Sequence, residues 1–423
     1  MKVLVLAHRL PYPPHKGEKI RALNILRYVS KRHEVHLASL LDDAADMQYL
    51  AQLENLVRTV VVHRIHRRVQ MLRMLLAFAG GDSMTSRYFY AEALQRRVDA
   101  LIEREGIEAV FCFSSAMAEY VLRSRQAERL RLVPKVMDLI DVDSAKWQEY
   151  AERSPFWTAW LYRREARKVA ESERRIGSEF DRVLVVSEPE KLYAPIASER
   201  VCAMPNGVDL QYFSPNAYCE ADRQARTLVF TGVMNYHPNV DGICWFVDRV
   251  LPMIRAAVDN VNLYIVGNRP GRRVRRLARH AGVVVTGFVP DVREYIGRAT
   301  VSIAPLRIAR GIQNKVLEAM AMGRPTVATP QAFEGIDAEP GKEIAIAADE
   351  GEFAEKVIEL LRNPTRADDM GKCARQRVER RYSWDRNLRL LDELFPISTC
   401  DDMSARDAGW PSQRPEAAMP RIP

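Results

Sequence analysis

The chain has 423 residues, more than one ordinary hydrophobic core accommodates, so two domains of roughly 150–200 residues each are expected. With 47% hydrophobic and 28% charged residues it reads as globular and soluble, and the longest apolar run, "MLRMLLAFAGG" at 71–81, is interrupted by Arg73 and far short of the roughly 18 residues of a membrane span. The net charge of +8 favours anionic partners such as nucleotide phosphates or a lipid surface; a nucleic-acid partner is not expected, because no basic stripe with interleaved aromatics, zinc motif or helix-turn-helix is present.

In chain order, "KVLVLAH" (2–8) reads as a first strand rather than a signal-peptide core, and "KIRALNILRYVSKR" (19–32) has helical spacing. Strands follow at 34–40, 108–114, 134–141 and 182–187, with helical stretches at 43–58, 90–105, 115–130 and 155–176 between them. "HRIHRRVQMLRMLLAF" (63–78) reads as a basic amphipathic helix, which either lies on an anionic bilayer or packs its apolar face on its own domain. Trp147, Trp157 and Trp160 are expected in the core rather than in an acceptor groove.

"MPNGVDLQYFSPN" (204–216) has the Pro, Asn and Gly content of a linker. The scheme then repeats, with strands at 227–232, 261–267, 282–289, 300–306 and 324–329 and helices at 239–257, 350–363 and 365–395. The assignment is an N-terminal domain 1–205, a C-terminal domain 206–395 with a closing C-terminal helix, and a polar, Pro-rich tail, 396–423, expected to be disordered. This β–α alternation argues for two open parallel sheets covered on both faces, whose ligands sit at the carboxyl ends of strands, in a cleft if the domains face each other. Six scattered cysteines without a C-x-x-C pair suit reduced thiols in the cytoplasm, and no metal site is expected.

In "RGIQNKVLEAMAMGRPTVAT" (310–329) a glycine loop leads into a helix N-terminus, where unpaired N–H groups and the helix dipole suit a phosphate. Gly311 allows close backbone approach, Lys315 adds a cation, and Glu318, one turn in, either accepts hydrogen bonds from a sugar's vicinal hydroxyls or lies on a solvated helix edge. In the N-terminal half, His8 follows the first strand, Gly17 opens a helix with Lys19 and Arg21 as candidate anion contacts, and Asp141 and Asp143 in "DLIDVDS" (138–144) are candidate proton acceptors or helix caps.

Taken together, "FTGVMNYHPNVDGICWF" (230–246), "LYIVGNRP" (263–270), the segment 282–329 and "YSWDRNL" (382–388) resemble the nucleotide-sugar-binding half of GT-B glycosyltransferases of family 4, most like the sugar transferases of bacterial exopolysaccharide and exosortase (PEP-CTERM) systems. The resemblance implies two Rossmann-like doubly wound domains facing a central cleft. It also implies metal-independent, cofactor-free, retaining transfer of a hexosyl-type sugar from a nucleoside diphosphate sugar to a saccharide or polyprenyl-linked saccharide acceptor. Such an enzyme would be cytoplasmic or peripheral on the inner membrane. Glu318 would hold the donor ribose; Gly232, Gly311, Ile312 and Gln313 would meet the diphosphate or sugar; and Phe288 would wall the base pocket. Three departures stand out. Arg310 replaces the first Glu of Glu-x7-Glu. No Arg or Lys follows Gly232 directly, which leaves Lys315, Arg307 or Arg310 to neutralise the diphosphate. Ile140 replaces the expected His. The alternatives are a nucleotide-sugar epimerase or hydrolase on the same fold and a non-catalytic saccharide- or membrane-binding relative.

Overall fold

The computed structural model describes residues 1–14, 16–152, 154–217, 224–309 and 311–396. All but the first residue of the expected tail lies outside them, as do Cys219, Cys400 and Arg310. The described chain forms two compact units, Met1–Pro205 together with 387–396, and Asn206–Arg386.

In the first unit seven strands run in chain order: β1 (Lys2–Ala7), β2 (Glu34–Leu41), β3 (Thr59–Arg64), β4 (Ala109–Phe113), β5 (Lys135–Ile140), β6 (Arg182–Val185) and β7 (Val201–Ala203). They pair in parallel in the order β3-β2-β1-β4-β5-β6-β7. The inner strands are buried on both faces, which is why they read as nearly continuous apolar runs. Leu4, Leu6, Val110, Cys112, Met137 and Val183 face one core with Leu94, Val98 and Ile176 from the covering helices. Phe111 points the other way, and Phe395 packs against it at 6.3 Å.

The second unit repeats the plan with β8 (Thr227–Thr231), β9 (Asn262–Val266), β10 (Val283–Gly287), β11 (Val301–Ala304), β12 (Thr326–Ala328) and β13 (Ala345–Ile346), ordered β10-β9-β8-β11-β12-β13 and parallel throughout. In both sheets the strand order reverses beside the first strand, at the β1/β4 and β8/β11 edges, which is where open α/β sheets present a crevice to ligands.

Several expectations need correction. The stretch 43–58 is a 3-10 turn and a short helix, and β3 occupies the start of the expected basic helix, which runs over Arg67–Gly80 instead. The expected helix 365–395 is three pieces, Pro364–Arg381, Trp384–Asn387 and Leu390–Leu394, and its last part belongs to the first unit, where Asp392 accepts from Tyr28 at 2.7 Å. The helix expected over 239–257 contains a π turn at Phe246–Val250 just before Pro252, whose missing N–H interrupts the regular ladder.

Candidate functional site

In the second unit the candidate residues gather at the β8/β11 edge. Gly232 ends β8 with φ +152°, and Gly267 ends β9 with φ +151°. A Cβ on Gly267 would lie 1.7 Å from the Gly232 carbonyl oxygen, so the two strand ends approach this closely only because residue 267 is a glycine. A Cβ on Gly232 would lie 2.7 Å from Asn239 Nδ2 and 3.1 Å from Lys315 Nζ. The bare backbone of Gly232 therefore leaves room for an amide and an ammonium directly over the strand end.

Lys315 comes from the helix Asn314–Ala321, which follows β11 through a loop containing Gly311 at φ +63°. Its apolar face, Val316, Leu317 and Met320, is held in the core, which fixes Lys315 and Glu318 on the same helix. The ammonium donates to Asn239 Oδ1 and lies 4.6 Å from the centre of the buried Phe230 ring. Asn239 is anchored in turn by donating to the Val233 carbonyl at 2.9 Å. Burial lowers the Lys315 pKa to about 7, with Glu318 opposing the shift. Burial raises the Glu318 pKa to about 7, with Lys315 opposing. Both side chains keep a partial opening to solvent. A charge held at such a cost, in the first turn of a helix, is poised for an anion.

The remaining candidates divide. Arg307 makes a two-pronged pair with Asp241, Nε to Oδ2 at 2.9 Å and Nη2 to Oδ1 at 2.6 Å, so its charge is already neutralised. Arg310 lies outside the described residues. The Ile312 side chain is buried in the core, which leaves only its backbone available, and Gln313 stands at the N-cap without a side-chain capping bond. Phe288, after Gly287 at φ +74°, is 61% exposed, whereas Asp291 of the same segment is committed to Arg293 and Tyr212.

In the first unit His8 follows β1 at the β1/β4 edge, and Asp141 and Asp143 follow β5, the strand on the far side of β4. His8 is buried, parallel to Phe113 at 6.0 Å and edge-on to Phe89 at 5.4 Å, and burial holds its pKa below the ordinary value. Asp143 accepts from Ser115 Oγ at 3.0 Å and sits in the first turn of the helix Asp143–Glu152. Burial, reinforced by Glu190 and opposed by Lys146, pushes Asp141 up to about 7. Two carboxylates that the sequence reading missed hold this loop: Glu190 accepts from the Val142 N–H at 2.9 Å, and Glu173 accepts from the Ser144 N–H at 3.2 Å and from its hydroxyl. Ile140 and Ser114, at the ends of neighbouring strands, have φ of +70° and +79°, strain of about 1–3 kcal/mol each that clusters at functional edges.

Two sequence expectations are overturned here. Lys19 and Arg21 are not free for an anion: Lys19 pairs with Asp46, and Arg21, wholly buried, donates to Asp138 at 2.7 and 3.1 Å and to the Met204 carbonyl at 2.7 Å. Gly17 does open the helix Gly17–Ser30, as expected, and is exposed there; it is the neighbouring Glu18 that is not open to a ligand, being paired to Arg9. Trp157 and Trp160 are exposed rather than core residues, while Trp147 stacks on Tyr162 at 5.7 Å. Among the described residues no group of three or more His, Cys, Asp or Glu is placed to hold a metal ion, and no helix is long and apolar enough to cross a membrane.

Residues 225–363, the sheet and helices that carry Gly232, Lys315 and Glu318, match the family of glycosyl transferases group 1. A Klebsiella pneumoniae protein described as an uncharacterized 44.6 kDa protein in the cps region is 21% identical over 372 residues, 86% of this chain and 91% of its own. A GDP-mannose-dependent alpha-(1-6)-phosphatidylinositol monomannoside mannosyltransferase of Mycobacterium tuberculosis is 29% identical over 240 residues, 50% of this chain and 60% of its own. The Anabaena protein Alr3699/HepE, solved with UDP, superposes at a TM-score of 0.66 with 14% identity over 93% of this chain and 99% of its own, a likeness of fold. The fold, two parallel-sheet, Rossmann-like domains, is that of GT-B glycosyltransferases.

Proposed function

We propose that this chain is a retaining, metal-independent glycosyltransferase that moves a sugar from a nucleoside diphosphate sugar to a lipid-linked saccharide acceptor in exopolysaccharide or other cell-surface glycan assembly. The observation that carries the reading is the convergence of Gly232, Asn239 and Lys315 over the end of β8, with Glu318 one turn further along the same helix. Lys315 takes the place of the missing cations after Gly232 and meets the diphosphate together with the backbone of Gly311 to Gln313. Glu318 accepts from the ribose hydroxyls, and Phe288 stacks on the base. The bond from the sugar C1 to the diphosphate oxygen breaks, with its electron pair leaving on the diphosphate. The acceptor oxygen bonds to C1 from the same face, and Asp141 takes the acceptor's proton. Nucleoside diphosphates appear in the names of both a relative and a structural neighbour, GDP-mannose and UDP, and a further relative lies in a cps region, which supports the donor class and the glycan setting.

The test is thermal shift and calorimetry with UDP, GDP, ADP and their sugars on the wild type and Glu318→Ala. One nucleotide is expected to stabilise the wild type by several degrees, with the effect and sugar transfer lost in a variant that remains folded. Unchanged donor affinity and turnover in Glu318→Ala would remove Glu318 from the site.

A further inference from the structure

The loop that carries Asp141 alternates residue by residue. Val142 and Ser144 are buried, while Asp141 and Asp143 keep a partial opening to solvent. The backbone follows the same alternation. The N–H of Ile140 donates to Asp138 Oδ1 at 3.1 Å, that of Val142 to Glu190 Oε2 at 2.9 Å, and that of Ser144 to Glu173 Oε1 at 3.2 Å. The alternation begins where Ile140 takes φ +70° and the register of β5 on β6 shifts between Asp138 and Ile140, an irregularity that re-aims the residues after it.

The three acceptors are all carboxylates, and all are buried: Asp138, Glu190 and Glu173 are 0%, 2% and 0% exposed. A backbone carbonyl or a glutamine would accept the same N–H without the cost of burying a charge. Asp138 is offset by Arg21. Glu190 acts on Asp141: burial is the largest influence on the Asp141 proton, and the Glu190 charge is the next. The groups that face Asp141 are Glu190 from the helix Glu188–Lys191, Asp143 and Lys146 from the helix Asp143–Glu152, and Arg21 from the helix Gly17–Ser30. Glu173 faces Asp143 and Ser144, and burial pushes it up to about 7. A carboxylate with negative neighbours holds a proton more strongly than one in water, so acceptors of this kind affect the chemistry of the loop as well as its shape.

We propose that Glu190 and Glu173 are positioning residues for Asp141: their bonds to the Val142 and Ser144 N–H groups fix the loop with Asp141 turned outward, and the charge of Glu190 makes Asp141 a stronger proton acceptor than the same carboxylate in water. The proposal rests on the reading of Asp141 as the group that takes the acceptor's proton. Its test contains neither donor nor acceptor substrate, so the positioning of Asp141 and its catalytic role succeed or fail separately.

The full chain is labelled with carbon-13 at the aspartate carboxyl groups and titrated by NMR between pH 5 and 9. The Asp141 resonance is assigned by its loss in Asp141→Asn, and the label leaves Glu173 and Glu190 silent. A wild-type midpoint near 7 is expected. Glu190→Gln keeps the shape and the hydrogen-bond acceptor but removes the charge, so the chain should remain folded and the midpoint should fall by about one pH unit. Amide exchange is followed in the same proteins on peptides covering 140–144. The wild type and Glu190→Gln should both be protected there, whereas Glu190→Ala and Glu173→Ala should each exchange at least about tenfold faster, with β1 and β4 still protected. Three results overturn the proposal: a wild-type Asp141 midpoint at about 4, the ordinary carboxylate range; a midpoint that Glu190→Gln leaves unmoved; or exchange over 140–144 that is rapid in the wild type or unchanged by the alanine variants. Rapid exchange and an ordinary midpoint are both read on the wild type alone, without reliance on any variant.

Discussion

Replacing Lys315 by Met should move stability and ligand affinity in opposite directions. The fall of the Lys315 pKa from its usual 10.5 to about 7, at about 1.4 kcal/mol per tenfold change in proton affinity, bounds the folding cost of the ammonium at about 5 kcal/mol. Partial solvent access reduces this to about 2–3 kcal/mol. Methionine removes the charge at similar length but leaves Asn239 Oδ1 without its donor, a loss of about 1 kcal/mol. The net expectation at pH 7 is a gain of about 1–2 kcal/mol, or a few degrees in melting temperature. Affinity for the cognate nucleoside diphosphate should fall by about tenfold to a hundredfold, since a charge-assisted bond to phosphate contributes about 1.5–3 kcal/mol. The sign with pH follows. Lys315 must take up a proton to bind phosphate, so wild-type affinity weakens as pH rises above about 7, and the Met variant loses that dependence. Differential scanning fluorimetry and calorimetry between pH 6 and 9 measure both quantities. A Met variant that is less stable and still binds nucleotide would show that Lys315 is a structural cation for Phe230 and Asn239, and the reasoning would fail.

Arg21→Leu strands the fully buried Asp138 without its cation and should cost about 3–5 kcal/mol in urea unfolding; a loss below about 1 kcal/mol would mean that the pair behaves as a surface bridge. Asp141, whose folded pKa is raised from 3.8 to about 7, binds its proton more tightly folded than unfolded, so the stability it contributes is present below about pH 4 and disappears as pH rises to 7. Asp141→Asn should therefore match the wild type near pH 4, exceed it in stability at pH 8, and transfer no sugar; equal unfolding curves at pH 8 would contradict the burial argument.

Much of the candidate donor edge was legible because its signals are local. Gly311 before a helix, Lys315 and Glu318 one turn apart and the glycine after a strand all lie within short windows whose periodicity dictates their neighbours. Asn239, which holds Lys315, gave no such signal: it lies 76 residues away and meets the lysine only because β8 and β11 are adjacent in the sheet. Glu173 and Glu190 were invisible for the same reason, since each reaches the Asp141 loop from another element.

By itself the sequence determined the alternation of strand and helix, because buried parallel strands must be apolar on both faces and their covering helices on one. Only the tertiary structure decided what each charge and aromatic ring does. Lys19 and Arg21 look like anion contacts beside Gly17, yet their partners Asp46 and Asp138 are 27 and 117 residues away. Arg307 is spent on Asp241, and Lys315 has no carboxylate in direct contact among the described residues. Trp157 and Trp160 read as core by type and stand exposed to water, Trp160 against Phe78 of a distant helix. Secondary structure follows from spacing along the chain, whereas the state of a charge or an apolar ring depends on what folding brings within a few ångströms of it, and that information is spread over the whole sequence.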